Sequence, residues 1–329
     1  MERGWPDEAV DFEAAVSGAL QRAGGVDLAR RCEADPALRS SEVRPILEEL
    51  GLFDVDASAG PAEAASAARA MRAAGAIVCP WPLVQRLAVP ASLRGEIDAV
   101  YLRDGGITRA EHLDIAGRAL ALDISTEDVC ELSPTSEIRP SPLDPFGVPC
   151  ETRAADDRDV DGALDTYIVL AAFWVVGVLS NAKGLAAAHA RDRRQFGRRI
   201  ADFGEVQWHL SDIAVAHDSL LELACFNLGR MIDKRVTLAD SLALHLTMTE
   251  SARSVMSHAH QVLAALGLCE EHDLTVLDRH LQPVIRRPCG VNRIAGMLAD
   301  EIARSGFDNL YPVPAAVSPL SGEPEHAHA

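Results

Sequence analysis

Eleven residues, ARDRRQFGRRI from Ala190 to Ile200, hold five arginines around a Gln-Phe-Gly step, in a chain of 329 residues whose formal net charge is −18. A guanidinium presents several donors in a fixed fork, so such a cluster suits an anion and above all phosphate oxygens. The acidic balance, with a pI near 5.0, argues against a nucleic-acid surface, which needs a basic face. A small anion fits better. The competing interpretation is a solvated helix end, where arginines offset the negative pole of the helix dipole.

Other groups with chemical potential are sparse. Glu270, Glu271 and His272 form a polar cluster, and Asp165 stands beside Thr166 as a candidate displaced base. The eleven histidines include no HExxH pattern, and the spacing of His258 and His260 puts them on different helix faces, so no metal site is expected. Seven cysteines (Cys32, Cys79, Cys130, Cys150, Cys225, Cys269, Cys289) form no CxxC pair, and the odd count completes no disulfide framework. They read as reduced thiols of a cytoplasmic protein. MERGWPDEAVDF opens with acids where an export signal needs a basic start and an apolar run. The apolar stretch Tyr167 to Ser180 is shorter than the roughly 20 residues of a membrane span and reads as a buried core helix.

The elements that must position these groups follow from periodicity. Low aromatic content (5%) and abundant alanine favour packed helices. Residues 1–95 alternate helical patterns (AVDFEAAVSGALQRA, SEVRPILEELG, PAEAASAARAMRAAGAI) with Gly, Pro and Asp breaks, and form an N-terminal helical domain. Residues 96–158 carry short runs, IDAVYLR, HLDIAG and ALALDIS, then a Pro-rich acidic stretch; this predicts a reduced β middle domain and a linker. Residues 159–311 predict a four-helix bundle. Its first helix is stopped by Gly197, its second opens at FGEVQ, its third is stopped by Gly267, and its fourth is VNRIAGMLADEIARSG. Residues 312–329 are Pro-rich and predict a disordered tail.

The string ARDRRQFGRRIADFGEVQWHLSDIAV resembles the acyl-CoA dehydrogenase family, whose bundle carries A-R-x-R-x-Q-F-G-x-x-I-x-x-F-Q-x-V-Q-x-x-L-A-D-M at this place. HQVLAALGLCEEHDL, His260 to Leu274, is similar to the family's Q-x-x-G-G-x-G-x-x-x-E-H-x-L segment. RPILEELGLFDV and AMRAAGAIVCPWPLV are similar to its first-domain helices. The resemblance implies a mainly α fold with a small β middle domain and a C-terminal four-helix bundle, around FAD at a subunit interface. By the same resemblance Arg193, with Phe196 beside it, meets the pyrophosphate of a neighbouring subunit's flavin, and Gln261 reaches the adenosine part.

Departures from the family pattern matter as much. Gly204 stands where the family has glutamine, and Ala264 and Ala265 where it has paired glycines. The middle region has no counterpart of the Tyr-x-x-Thr-Glu and Trp-x-Thr segments that wrap the isoalloxazine. Family members take the α proton of an acyl thioester with a glutamate, and the two places that supply it hold Thr166 and Cys289. The resemblance is therefore to the short, base-less subunit of actinobacterial heteromeric, steroid-type acyl-CoA dehydrogenases. It implies a non-catalytic chain that completes an FAD site shared with a full-length partner subunit, two copies of each, acting on an acyl-CoA such as a steroid side-chain thioester, with neither nucleic acid nor membrane as partner. The alternatives are a homo-oligomeric flavoenzyme of secondary metabolism and a flavin-free helical interaction protein.

Overall fold

The computed structural model describes residues 4–155 and 158–306. The N-terminal part is helical. α1 (Asp7–Arg22), α2 (Val26–Ala34), α3 (Arg44–Glu49), α4 (Pro61–Ala76) and α5 (Leu83–Leu87) follow one another, with a single π turn at Arg39–Val43 leading into α3. α4 starts at a proline, where the missing N–H is no loss. Its buried face is almost all alanine: Ala64, Ala67, Ala68, Ala70 and Ala74 are sealed from solvent, so the helix can approach its neighbours closely.

Five strands come next: β1 (Ala99–Arg103), β2 (Arg109–Glu111), β3 (Ala119–Asp123), β4 (Val129–Pro134) and β5 (Gly147–Ala154). They form one sheet in the order β1-β3-β4-β5-β2. β1 runs parallel to β3 and the other pairings are antiparallel. Two readings of this region need correction. HLDIAG, expected among the strand-like runs, is a turn: His112 accepts its place at φ 55 and its carbonyl receives the Ile115 N–H. The Pro-rich stretch read as a linker contains β5, which pairs with both β4 and β2.

α6 (Ala163–Asp192) is buried around most of its circumference over residues 167–179, the mark of a helix at the centre of a core. It is long and apolar enough to cross a membrane by length and composition, yet 78% of its most apolar window is buried against the rest of the chain. α6 ends at Asp192. Arg193 turns extended, and a two-strand hairpin, β6 (Arg194–Gln195) with β7 (Arg198–Arg199), follows. Gly197 is thus the tip of a hairpin and not the helix stop.

α7 (Gly204–Ile232) and α8 (Leu238–Leu263) are joined by a tight corner. Thr237 caps α8 by accepting the Asp240 N–H at 3.2 Å, Asp240 accepts the Thr237 N–H at 2.9 Å, and Arg230 of α7 donates to the same Asp240 carboxylate at 2.8 Å. α8 ends at Leu263, before Gly267. Ala264 itself leaves the helix at φ 52, ψ −132, opening a short 3-10 turn over Ala264–Leu268. α9 (Asp273–Arg286), absent from the sequence reading, packs between α8, α6 and α2; α10 (Val291–Ser305) then closes the bundle. The predicted tail, 312–329, lies outside the described residues.

Candidate functional site

The hairpin after α6 is shaped by its two tip residues. Phe196 at φ 51 and Gly197 at φ 80 are the paired left-handed residues of a type I′ turn, whose twist matches that of the flanking strands. Glycine adopts this conformation without cost; phenylalanine does not. The strain delivers an exposed ring: Phe196 is 92% accessible. The Ile200 N–H donates to the Arg193 carbonyl at 2.9 Å, and buried Ile200 anchors the base of the hairpin. Phe203 braces the tip, with the Phe196 ring edge-on at 6.3 Å and the Arg198 guanidinium over its own ring at 3.9 Å.

Arg193, Phe196, Gln261, Ala264 and Ala265 all line one open groove of about 680 Å³ between this hairpin and the C-terminal end of α8. The fold therefore gathers residues about 70 positions apart in sequence. Among the described residues, Arg191, Arg193 and Arg194 have no carboxylate within ion-pair distance, although most other arginines of this acidic chain do. The groove also holds His189, one helical turn before Arg193, and Glu205 and His209 from α7. Burial, and then the Arg193 charge, hold His189 below its ordinary range.

Several large apolar side chains of these elements are exposed. Phe196 and Leu266 line the groove, while Leu268 (74%), Trp208 (76%) and Val215 (66%) stand out from the turn after α8 and from α7.

The two positions where a base was sought are built differently. Thr166 lies in the first turn of α6, its N–H donated to Gly162 O at 3.0 Å. Cys289 lies between α9 and α10, where burial and the neighbouring Asp104 carboxylate push its thiol up to about 11. It is a protonated thiol at neutral pH. Asp104 is in turn gripped by Arg293 of α10 at 3.0 and 3.2 Å. Near one or the other in sequence, Leu164, Ile168, Pro288 and Ile294 close with Ser241 and His245 around a void of only about 10 Å³, no larger than a single water requires.

Of the remaining candidates, Asp165 and His272 are engaged in holding helices. Asp165 accepts from Ser241 Oγ at 2.7 Å, tying α6 to α8, and burial raises its carboxyl above the ordinary range. His272 caps α9 by accepting the Leu274 N–H, and the Glu271 carbonyl receives Arg30. His258 and His260 do face different ways: His258 meets His209 of α7, and His260 meets Asp278 of α9 at 3.4 Å. Sequence reasoning missed His189, although its place one turn ahead of Arg193 was legible. It also missed the His209–His258 pair, whose members are 49 residues apart and meet only through the register of α7 on α8.

Comparison with known proteins gives a consistent result. Residues 166–285 match the family described as acyl-CoA dehydrogenase, C-terminal domain. Over 137 residues, 41% of this chain and 36% of the relative, the sequence is 31% identical to a cyclohex-1-ene-1-carbonyl-CoA dehydrogenase of Geobacter metallireducens. It is 28% identical over 123 residues, 37% of each chain, to the acyl-CoA dehydrogenase IpdE2 of Mycolicibacterium smegmatis. The matched stretch thus spans little more than a third of these curated relatives. Among solved structures, a variant of the Tcur3481-Tcur3483 steroid ACAD superposes with a TM-score of 0.76 at 15% identity, covering 91% of this chain and 98% of that one. The ChsE4-ChsE5 complex from Mycobacterium tuberculosis superposes with a TM-score of 0.75 at 15% identity, covering 93% of this chain and 100% of that one. Residues 166–285 accordingly match the C-terminal domain of acyl-CoA dehydrogenases, and the described residues take the fold of these acyl-CoA dehydrogenase neighbours.

Proposed function

We propose that this chain is the flavin-site-completing, non-catalytic subunit of a heteromeric acyl-CoA dehydrogenase, lending its groove to FAD held in common with a full-length partner subunit. The observation that carries this reading is the groove itself. An unpaired guanidinium at Arg193, an aromatic ring pushed into solvent at Phe196 and the amide of Gln261 face one open space. That donor set fits the pyrophosphate and adenosine of a dinucleotide. Bound flavin would supply hydride acceptance in α,β-dehydrogenation of an acyl-CoA. Within this chain, Arg193 binds phosphate oxygens, Gln261 orients the adenosine, and Phe196 excludes water from the contact.

The base positions support the division of labour. Thr166 and Cys289 offer no carboxylate, and burial with Asp104 pushes the Cys289 thiol up to about 11. The α proton must then be taken by a residue of the partner. Two of the structural neighbours are described as a steroid ACAD and as a two-component complex; by analogy we assign the substrate to acyl-CoA thioesters of the steroid side-chain type, and the assembly to two copies of each subunit in the cytoplasm. We further assign residues 1–95, 96–158 and 159–311 as its three domains.

Light scattering with flavin absorbance on one sample tests the proposal. The chain alone is expected to carry no stoichiometric flavin. Co-expressed with a full-length acyl-CoA dehydrogenase encoded beside it, it is expected to give a heterotetramer with about one flavin per pair. A stable homotetramer with FAD in every chain refutes the proposal, and a flavin-free monomer that never takes a partner hands the case to an interaction protein.

A further inference from the structure

His209 and His258 meet nitrogen to nitrogen: Nδ1 to Nδ1 at 2.7 Å, from α7 to α8. Between two such atoms one must donate and the other accept, so the pair cannot be described residue by residue. A third group breaks the symmetry. Asp212 Oδ2, one turn along α7 from His209, lies 3.6 Å from His258 Nε2 and favours a proton on that nitrogen. In the neutral pair, His258 Nε2 then carries the proton facing Asp212, and His258 Nδ1 accepts from His209 Nδ1–H. What remains is His209 Nε2, a bare lone pair on a residue that lines the groove.

One added proton inverts this. It enters on His258 Nδ1, where Asp212 stabilises the resulting cation; His258 Nδ1–H now donates to His209 Nδ1, and the His209 proton moves to Nε2. The free ring nitrogen of His209 changes from acceptor to donor, while the charge itself stays on His258, outside the groove lining. We infer that Asp212, His258 and His209 form a proton-setting chain. It makes the groove accept a hydroxyl or amine donor when the pair is neutral and makes it donate to a phosphate oxygen when the pair holds one more proton.

The inference rests on the reading that the groove receives the phosphate-bearing half of a dinucleotide. The ligand is one that carries both chemistries, a nucleoside diphosphate with anionic oxygens and sugar hydroxyls. The titratable and charged groups facing His209 are Asp212 and Glu205 on its own helix, His258 on α8, and His189 and Arg193 across the groove. His189 is held below the ordinary histidine range by burial and by Arg193.

The test combines two measurements, imidazole spectra and nucleotide binding, both on the complex of this chain with the full-length partner subunit after its flavin is stripped. Nitrogen-15 spectra of the imidazoles should show His209 as the Nδ1–H tautomer and His258 as the Nε2–H tautomer at pH 8, with His209 gaining Nε2–H character as the pH is lowered. ADP binding followed by calorimetry should tighten roughly tenfold more between pH 8 and pH 5.5 in the native chain than in His258→Phe, because a charge-assisted donor toward phosphate is gained only where the pair exists. His258 is partly exposed, so that variant should keep its fold. ADP bound with His209 already in the Nε2–H form at pH 8, or with the same pH dependence in His258→Phe, overturns the proton-setting chain and leaves the groove assignment standing. The expected tautomers without any ADP binding overturn the groove assignment instead.

Discussion

Gly75 of α4 lies flat against the backbone carbonyl of Trp174 in α6, with no room for a β carbon between them. Less than one helical turn away the relation is mirrored: Gly177 of α6 lies against the carbonyl of Arg72 in α4, again closer than a Cβ allows. Each helix thus supplies a glycine to receive the other's backbone. Gly75→Ala must push two backbones apart, and overpacking of this kind typically costs about 1 to 3 kcal/mol. Urea unfolding monitored by circular dichroism should show the midpoint fall with an unchanged slope, and an unchanged midpoint would mean that the helices are not in this contact.

Ala264 carries backbone strain at the groove. Its φ of 52 with ψ of −132 is a region that L-residues occupy at a cost of roughly 1 to 3 kcal/mol, where glycine is at ease. Ala264→Gly should therefore stabilise the chain by about 1 kcal/mol after the extra chain entropy of glycine is deducted. The opposite outcome in thermal unfolding would show that the turn leaves α8 by another path.

Cys289 and Cys269 should separate cleanly in their reactivity. The thiolate is the nucleophile, and the Cys289 thiol is pushed up to about 11 by burial and Asp104, whereas Cys269 is exposed. At pH 8, iodoacetamide followed by peptide mass spectrometry should label Cys269 first and leave Cys289 largely unmodified. Equal labelling would contradict a protonated thiol at this position.

How far the sequence announced all this depended on the kind of information required. α1 was legible because one apolar face repeats every 3.6 residues, and α4 and α6 because long alanine-rich or apolar runs uninterrupted by proline favour helix. α9 was not, although Leu274, Leu277, Leu281 and Ile285 recur at helical spacing among Asp278, Arg279 and His280, because Pro283 within it reads as a breaker. Those charged groups have partners outside the helix: Glu33 of α2 receives both Arg279 and His280, a contact 246 residues distant. β5 was hidden by the prolines that precede it. Gly197 was correctly a breaker and wrongly a helix end, because a glycine marks where left-handed backbone is tolerated and not which motif uses it. The groove residues Arg193 and Gln261 came from family resemblance; the His209–His258 contact, which depends on how α7 sits on α8, had no local signal.

His245 supplies a pH dependence with a definite sign. Both its ring nitrogens are buried without a hydrogen-bond partner among the described residues, and burial lowers it to about 4. Its folded pKa lies below the unfolded value near 6.5, so the unfolded chain binds the proton first. The stabilisation is full above about pH 6.5 and is lost as pH falls toward 4, at roughly 1.4 kcal/mol per pH unit, or about 3 kcal/mol in all. His112, also held low by burial with Arg39 and His280, contributes in the same direction. His245→Leu should flatten the decline between pH 6.5 and 4.5 and raise stability at pH 5, since it removes two unsatisfied polar atoms along with the titration. A slope unchanged by the substitution would assign the acid sensitivity elsewhere.

Arg193 gives the most direct reading of the groove. Its guanidinium lines the open space with no carboxylate beside it among the described residues, so substitution should leave no buried charge stranded and little stability lost. A charged hydrogen bond to phosphate contributes roughly 1.5 to 3 kcal/mol, which makes Arg193→Ala about ten to a hundredfold weaker for flavin. In the assembled complex the ratio of flavin absorbance to protein should drop, and raising salt should mimic part of the effect by screening an exposed contact. Arg199→Ala is the matched control, because Arg199 is occupied with Asp202 at 3.3 Å and does not line the groove. Flavin occupancy that survives Arg193→Ala with assembly intact would remove the arginine cluster from the cofactor site and leave it as a solvated hairpin.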